Sequence, residues 1–323
     1  MSVISIQDLS YAYQDGAQQR FILSNVSYDF EPGRFYAILG NSGSGKTTLL
    51  SLMGALDTPR SGAVIYKGTD IRNMGFDSYR RNHVGIVFQS YNLIPWLTAV
   101  ENVLIAMDTT DNELPKDQRT VATNLLGYLG IDSAKATRRV PELSGGEQQR
   151  VAIARALATN VDLILADEPT GNLDEASSEE IVQIFRRLAD EHGKCVVVVT
   201  HDTEIARNAD AVLRLYKGVL GDCAASDVAA AVAAPAPAPA PAPASTGAPA
   251  GMSTPAGWAP PASSAPAPVG APAPIPTSAP LSKPAPIAAP APISAPAPVG
   301  SSVVQLPDFP PPARTDRTQN GQG

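Results

Sequence analysis

Gly40-Asn41-Ser42-Gly43-Ser44-Gly45-Lys46-Thr47 is the stretch that decides the fold. It has the form G-x-x-x-x-G-K-[ST]. Ahead of it, Phe35-Tyr36-Ala37-Ile38-Leu39 is a short apolar run that reads as a buried strand. Behind it, Thr48-Leu49-Leu50-Ser51-Leu52-Met53 reads as the start of a helix. Strand, glycine loop and helix in that order aim backbone N–H groups and a helix N-terminus at a polyphosphate. Lys46 would reach the β- and γ-phosphates and the Thr47 hydroxyl would bind Mg²⁺. The plain alternative is a glycine-rich turn that carries a lysine, but the motif has the context its chemistry demands.

Downstream segments supply the other parts of a phosphoryl-transfer site. Val84-Gly85-Ile86-Val87-Phe88 is a buried strand that ends at Gln89. Val161-Asp162-Leu163-Ile164-Leu165-Ala166 is another, and it delivers Asp167 and Glu168 at its carboxyl end, where ligands bind in open α/β sheets. Asp167 suits a metal, and Glu168 suits the polarisation of an attacking water. A solvated pair of carboxylates capping a turn is the competing reading. Val196-Val197-Val198-Val199 ends at Thr200-His201-Asp202, which places His201 beside the same phosphates.

Leu143-Ser144-Gly145-Gly146-Glu147-Gln148-Gln149-Arg150 opens a helix, with Ser144 as N-cap and Glu147 completing a capping box. Capping accounts for Ser144 and Glu147 but not for two glycines in a first turn, where each costs up to ~1 kcal/mol against alanine. Close backbone approach to a ligand, here a second phosphate, is the use that justifies them. Tyr11 and Tyr13 each offer a ring face to a purine, and ordinary strand packing explains either as well.

The rest of the chain sorts by composition. Residues 3–40 alternate apolar and polar positions around the turns Asp15-Gly16 and Pro32-Gly33, so short antiparallel strands are expected. Residues 97–140 carry helical spacing, broken near Pro115 and Gly130, as a helical insertion in an α/β core would. A further helix is expected over about 177–191. Of the 31 prolines, only Pro32, Pro59, Pro95, Pro115, Pro141 and Pro169 precede residue 225. From there the chain is Ala-Pro repetition, expected to be disordered with polyproline II character, and its partner is unknown.

Charge and cysteine usage exclude several classes. The tail balances Asp227, Asp308 and Asp316 against Lys283, Arg314 and Arg317, so the formal charge of −7 belongs to the first 224 residues. An acidic domain without a basic run argues against nucleic acid as the main partner. Cys195 and Cys223 show no C-x-x-C spacing and read as reduced thiols. No apolar segment approaches the ~18 residues needed to span a bilayer, and residues 1–8 lack the features of a signal peptide. A cytoplasmic protein is expected, at a membrane only through a partner.

Taken in order, GNSGSGKT, Gln89, LSGGEQQR, LILADE, GNLD and His201 make residues 1–221 resemble the ATP-binding subunit of an ABC transporter. The resemblance implies a P-loop ABC ATPase core: a mixed α/β sheet with an antiparallel β subdomain and a helical subdomain of about 90–157, followed by the tail at 225–323. It implies ATP and Mg²⁺ as cofactors, with Gly40 to Thr48 holding the phosphates. Tyr13 becomes the adenine-stacking ring in preference to Tyr11. Gln89 joins Thr47 and Asp167 at the metal. Ser144, Gly145, Gly146 and Glu147 would face the nucleotide of a second protomer, with Asp174 at the homodimer interface. Glu168 would be the general base and His201 the γ-phosphate switch.

The stretches Val87–Val103, LSGGEQQR and ADEPTGNLD are similar to the MacB, LolD and FtsE group. That implies work at the cytoplasmic face of a membrane with a separate FtsX-type permease, in the export of peptide, drug or lipoprotein. The alternatives are FtsE-like signalling through a permease-like partner, or a soluble regulatory ATPase. Leu215-Tyr216-Lys217-Gly218 departs from the family's usual Asp-Gly turn.

Overall fold

A computed structural model describes residues 1–15 and 18–223. The Ala/Pro-rich tail lies outside them. In chain order the first half comprises β1 (Ile4–Asp15), β2 (Gln18–Phe30), β3 (Phe35–Leu39), α1 (Lys46–Met53), β4 (Ser61–Tyr66), β5 (Thr69–Asp70), α2 (Ile71–Met74), α3 (Phe76–Asn82) and β6 (Val84–Val87). The helical stretch follows as α4 (Ala99–Thr109), α5 (Gln118–Tyr128), α6 (Ser133–Ala136) and α7 (Gly145–Leu157). The remainder is β7 (Leu163–Asp167), α8 (Glu175–Asp190), β8 (Cys195–Thr200), α9 (Thr203–Asn208), β9 (Ala211–Tyr216) and β10 (Val219–Asp222).

Two sheets form. One is antiparallel, in the order β2-β1-β4-β5. The other runs β10-β9-β3-β8-β7-β6, parallel throughout except for the β9–β10 hairpin at its edge. Side chains of β3 alternate between two cores. Phe35, Ala37 and Leu39 pack with α4, α5, α7 and α8, whereas Tyr36 and Ile38 pack with α1 and the antiparallel sheet. Burial on both faces is why the central strands read as unbroken apolar runs rather than alternations.

The expectation of short strands before residue 40 is corrected. β1 and β2 have 12 and 13 residues and form one long ribbon. Their pairing shifts register between Ile6 and Leu9, where Asp8 takes positive φ, and again between Leu9 and Tyr11, where Asn25 does so on the facing strand, and these irregularities break the alternation. Strand β3 belongs to the parallel sheet instead. Thr98 and Glu101 form a capping box that starts α4, and Asp117 caps α5. The helix expected over about 177–191 begins two residues earlier, because Asp174 accepts from the Ser177 N–H as its cap.

Candidate functional site

Four neighbouring parallel strands, β3, β8, β7 and β6, deliver the site at their carboxyl ends. From β3 the chain enters Gly40–Lys46. Asp167 and Glu168 follow from β7, Thr200 and His201 from β8, and Gln89 from β6. The adjacency explains how residues 155 positions apart reach one crevice, as Lys46 and His201 do through Glu168.

Gly45 sits at φ 101 immediately before α1, a backbone that only glycine adopts freely. Lys46 is 7% exposed, and its Nζ donates to Gly40 O at 2.7 Å and to Asn41 O at 3.4 Å. It also lies 3.5 Å from Glu168 Oε1. The Thr47 hydroxyl donates to Asp167 Oδ1 at 3.2 Å. Burial pushes the Asp167 carboxyl above its ordinary range; the Thr47 bond opposes that shift and the neighbouring Glu168 charge adds to it.

Glu168 is the most constrained carboxylate here. Its own backbone is left-handed, with φ 43, and is held by bonds from its N–H to Val199 O and from the Gly171 N–H to its carbonyl. Its Oε2 accepts from Thr200 Oγ1 at 3.0 Å and from the His201 N–H at 3.3 Å, and lies 2.9 Å from His201 Nδ1. Non-glycine residues in that region cost roughly 1–3 kcal/mol and persist only where their surroundings over-determine them. Gln89 pairs with Asn172: its carbonyl accepts from Asn172 Nδ2 at 3.1 Å, and its own amide reaches Asn172 Oδ1 at 3.5 Å.

The LSGGEQQR segment behaves differently. Ser144 caps α7 with Glu147 returning to its N–H, the capping box read from the sequence. The Ser144 N–H holds the Glu147 carboxyl below its usual range, helped by Lys135 at 3.0 Å. The two glycines have an internal reason as well. A Cβ at Gly146 would stand 2.8 Å from Ser177 Oγ and 3.0 Å from Ser177 Cβ; one at Gly145 would meet Tyr91 Oη at 3.0 Å. Their smallness is used to pack α7 against α8 and the loop after Gln89, so ligand approach is not their sole justification. Asp174 sits beside them as the cap of α8.

Of the two tyrosines, Tyr11 is engaged. Its hydroxyl bonds Asp57, which pushes it up to about 12, and its ring meets Tyr13 edge-on at 5.1 Å. Tyr13 is half exposed. Thr200 was not among the site residues expected from sequence. The signal for it was a hydroxyl ending a run of valines at a ligand-binding strand end.

These residues fit a nucleoside triphosphate with a divalent ion. Helix α1 has no side-chain cap and no acidic residue in its first turn, whereas α4, α5, α7 and α8 are each capped by a side chain. Its N–H groups and dipole therefore face the crevice uncompensated, beside the Lys46 ammonium. Ser44 Oγ, inside the loop, is buried without a hydrogen-bond partner. No group of three or more His, Cys, Asp or Glu side chains able to hold a metal occurs among the described residues. Thr47 and Asp167, bonded to each other at 3.2 Å, are instead oxygen donors of the sparse kind that suits Mg²⁺ completed by phosphate and water, while Gln89 is bonded to Asn172.

A glycine loop with its buried lysine at the end of β3, facing the adjacent carboxylates Asp167 and Glu168 at the end of β7, is the arrangement of a P-loop ATPase. The family described as ABC transporter matches residues 23–171. An ABC transporter ATP-binding protein of Bacillus subtilis, YclH, is 46% identical over 218 residues, covering 68% of this chain and 95% of that protein. The lipoprotein-releasing system ATP-binding protein LolD of Francisella tularensis is 41% identical over 221 residues, covering 68% and 95%. The dimeric ATP-binding cassette MJ0796, solved in a post-hydrolysis state bound to ADP and Pi, superposes with a TM-score of 0.62 at 37% identity. It covers 68% of this chain and 98% of that one. The chain belongs to the ABC transporter family, as an ATP-binding, ATP-hydrolysing subunit. Among the described residues no helix is long and apolar enough to cross a membrane.

Proposed function

We propose that this chain powers a separate FtsX-type permease from the cytoplasmic face of a membrane, working as a homodimer in the export of peptide, drug or lipoprotein. The observation that carries the chemistry is the convergence of Lys46, Thr47, Asp167 and Glu168 on one crevice. Similarity to LolD, a subunit of a lipoprotein-releasing system, supports the permease. The dimeric MJ0796 cassette supports the dimer. We assign residues 1–221 to the ATPase domain, with a helical subdomain of about 90–157, and the chain from 225 to a tail of separate role.

Tyr13 stacks on adenine. The backbone of Gly40, Asn41, Ser42, Gly43, Ser44, Gly45, Lys46, Thr47 and Thr48 wraps the phosphates, and Lys46 leaves its loop carbonyls for the β- and γ-phosphate oxygens. Magnesium, when bound, neutralises charge on those phosphates. Thr47, Gln89 and Asp167 would hold it. Glu168 accepts a proton from the water that attacks the γ-phosphorus, as the bond to the ADP oxygen breaks in line. His201 donates to the γ-phosphate. Ser144, Gly145, Gly146 and Glu147, with Asp174 alongside, close over the nucleotide of the second subunit. The exposed Trp96, at 71%, stands in the segment between Gln89 and α4 and offers an anchor to the permease.

Glu168→Gln keeps the hydrogen bonding but removes the base, so ATP should trap a stable dimer with hydrolysis nearly abolished. Near-normal turnover in that variant would remove Glu168 from its role. Affinity purification of the full chain from detergent-solubilised membranes tests the partner. Recovery of an FtsX-type permease supports transport; ribosomes or DNA-associated proteins without a membrane protein would overturn it.

A further inference from the structure

We infer that Thr200 is a positioning residue for ATP hydrolysis: its hydroxyl holds one oxygen of the Glu168 carboxylate and so aims the other at the phosphate side of the crevice. Thr200 has this role only if Glu168 is the base.

The two oxygens of Glu168 have different surroundings. Oε1 faces the Lys46 ammonium and hence the phosphate loop. Oε2 is turned to the end of β8, where Thr200 Oγ1, the His201 N–H and His201 Nδ1 surround it. Among these, the Thr200 hydroxyl is the side chain for which the proposed mechanism has no other use; its one other contact is the Asp202 N–H. The His201 ring is 66% exposed and is free to swing to a ligand. Thr200 is fully buried at the last position of β8.

The direction of its bond is fixed. A hydroxyl has one proton and two acceptor sites. The Asp202 N–H donates to Thr200 Oγ1 at 3.0 Å, so the proton of the hydroxyl is free to go to Glu168 Oε2, also at 3.0 Å. Threonine is β-branched and stiff about χ1, which suits a fixed strut better than a long side chain would. Asp202 is itself tied to Thr170 Oγ1 at 3.2 Å, two residues beyond Glu168, so the strut closes a ring joining the ends of β7 and β8. With the Glu168 backbone already left-handed, main chain and side chain together leave this carboxylate one orientation. A general base held that way gains from proximity and loses steeply when it wanders by about an ångström.

The test compares Thr200→Val, which keeps shape but not the hydroxyl, with Thr200→Ser, which keeps the hydroxyl. For each full-length variant one measures kcat and KM for ATP, the Kd for a fluorescent ATP analogue, and ATP-dependent dimerisation in the Glu168→Gln background. Thr200→Val should lower kcat about ten- to hundredfold, the range for losing a hydrogen bond to a charged group. Its analogue Kd should stay within about twofold of the parent, and Thr200→Ser should keep kcat within about threefold, since the bond and its geometry survive. The Glu168→Gln/Thr200→Val protein should form the ATP-bound dimer as Glu168→Gln does. A Thr200→Val enzyme with parental kcat, a Thr200→Ser enzyme as slow as the valine, or a loss of nucleotide affinity parallel to the loss of rate would each overturn the inference. So would failure of the double variant to dimerise, because that would place the effect in folding of the histidine loop. A Glu168→Gln enzyme that still turns over would instead sink the base assignment on which this rests.

Discussion

Gly146→Ala sets two effects of opposite sign against each other at the start of α7. Helix propensity alone favours the change, since alanine gains up to about 1 kcal/mol over glycine inside a helix. Packing opposes it. The added methyl would stand 2.8 Å from Ser177 Oγ and 3.0 Å from Ser177 Cβ. Ser177 cannot simply turn aside, because its hydroxyl is bonded to Asp174 Oδ2 at 2.9 Å and its N–H to Oδ1 at 3.0 Å, as part of the α8 cap. Overpacking of this kind costs about 1–3 kcal/mol. The clash wins, by about 1 kcal/mol net, which for a domain of this size is a fall of about 2–4 °C in Tm. Gly145→Ala is the internal control: its methyl would meet at 3.0 Å only the terminal hydroxyl of the Tyr91 side chain, which need shift by only a few tenths of an ångström. Propensity then wins, and Tm should hold or rise. Thermal unfolding of both variants without nucleotide is the assay. If Gly146→Ala raises Tm as much as Gly145→Ala does, packing on α8 is not why Gly146 is a glycine, and ligand approach would again be the better account.

Two further predictions follow from the site. Tyr13→Ala should weaken ATP binding by about 1–3 kcal/mol, the worth of one aromatic–base stack, with kcat at saturating ATP largely kept; equal affinity in a fluorescence titration would remove Tyr13 from the base site. Glu147→Gln keeps an acceptor for the Ser144 N–H but loses the charge beside Lys135. A carboxyl held below its usual range adds stability above its unfolded pKa of about 4.3 and loses it as pH falls through the lower folded value. Glu147→Gln should therefore melt below the parent at neutral pH by a few degrees, for a charged hydrogen bond worth about 1.5 kcal/mol, and the two curves should converge in acid. A gap independent of pH would refute the charge as its cause.

What the sequence disclosed was whatever lies in short runs. The loop from Gly40, the carboxylates after the β7 run, Gln89 and His201 each follow an apolar strand directly, and a parallel strand order then brings those ends together without further information. Relations between distant residues were not legible. That Gly146 needs to be small depends on Ser177, thirty-one positions on and in another helix. The length of β1 and β2 was hidden because Asp8 and Asn25, in left-handed conformation, interrupt the period of two on which strand reading depends. The segment α2–α3 shows too short an apolar period to announce itself, and Tyr79 is completely buried in the core with its hydroxyl satisfied by Met53 O across the fold. At the Lys217-Gly218 turn the sequence showed the departure from Asp-Gly but not the strands that flank it, β9 and β10; Lys217 takes the first left-handed position in place of the usual aspartate.

The way α7 is fastened separates the two halves of the site. Its first turn is packed on α8 through Gly146 and Ser177, and Arg150 bonds Glu180 on the same helix at 2.5 Å. Further along, Arg155 donates to Asn92 O at 2.5 Å and to Tyr91 O at 3.0 Å, two consecutive residues in left-handed conformation just past Gln89. Burial presses the Arg155 pKa downward, so its guanidinium depends on those carbonyls for solvation. Pulling the loop away from α7 would strand a desolvated cation and release two residues from a conformation that this bond helps to hold. The loop after Gln89, the start of α7 and the start of α8 are thus cheaper to move together than apart. Lys46, Thr47, Asp167, Glu168 and His201 are bound instead to one another across the strand ends. Ser144 and Glu168 therefore belong to two separately braced groups within one chain, and Gln89, paired with Asn172, sits where the two meet.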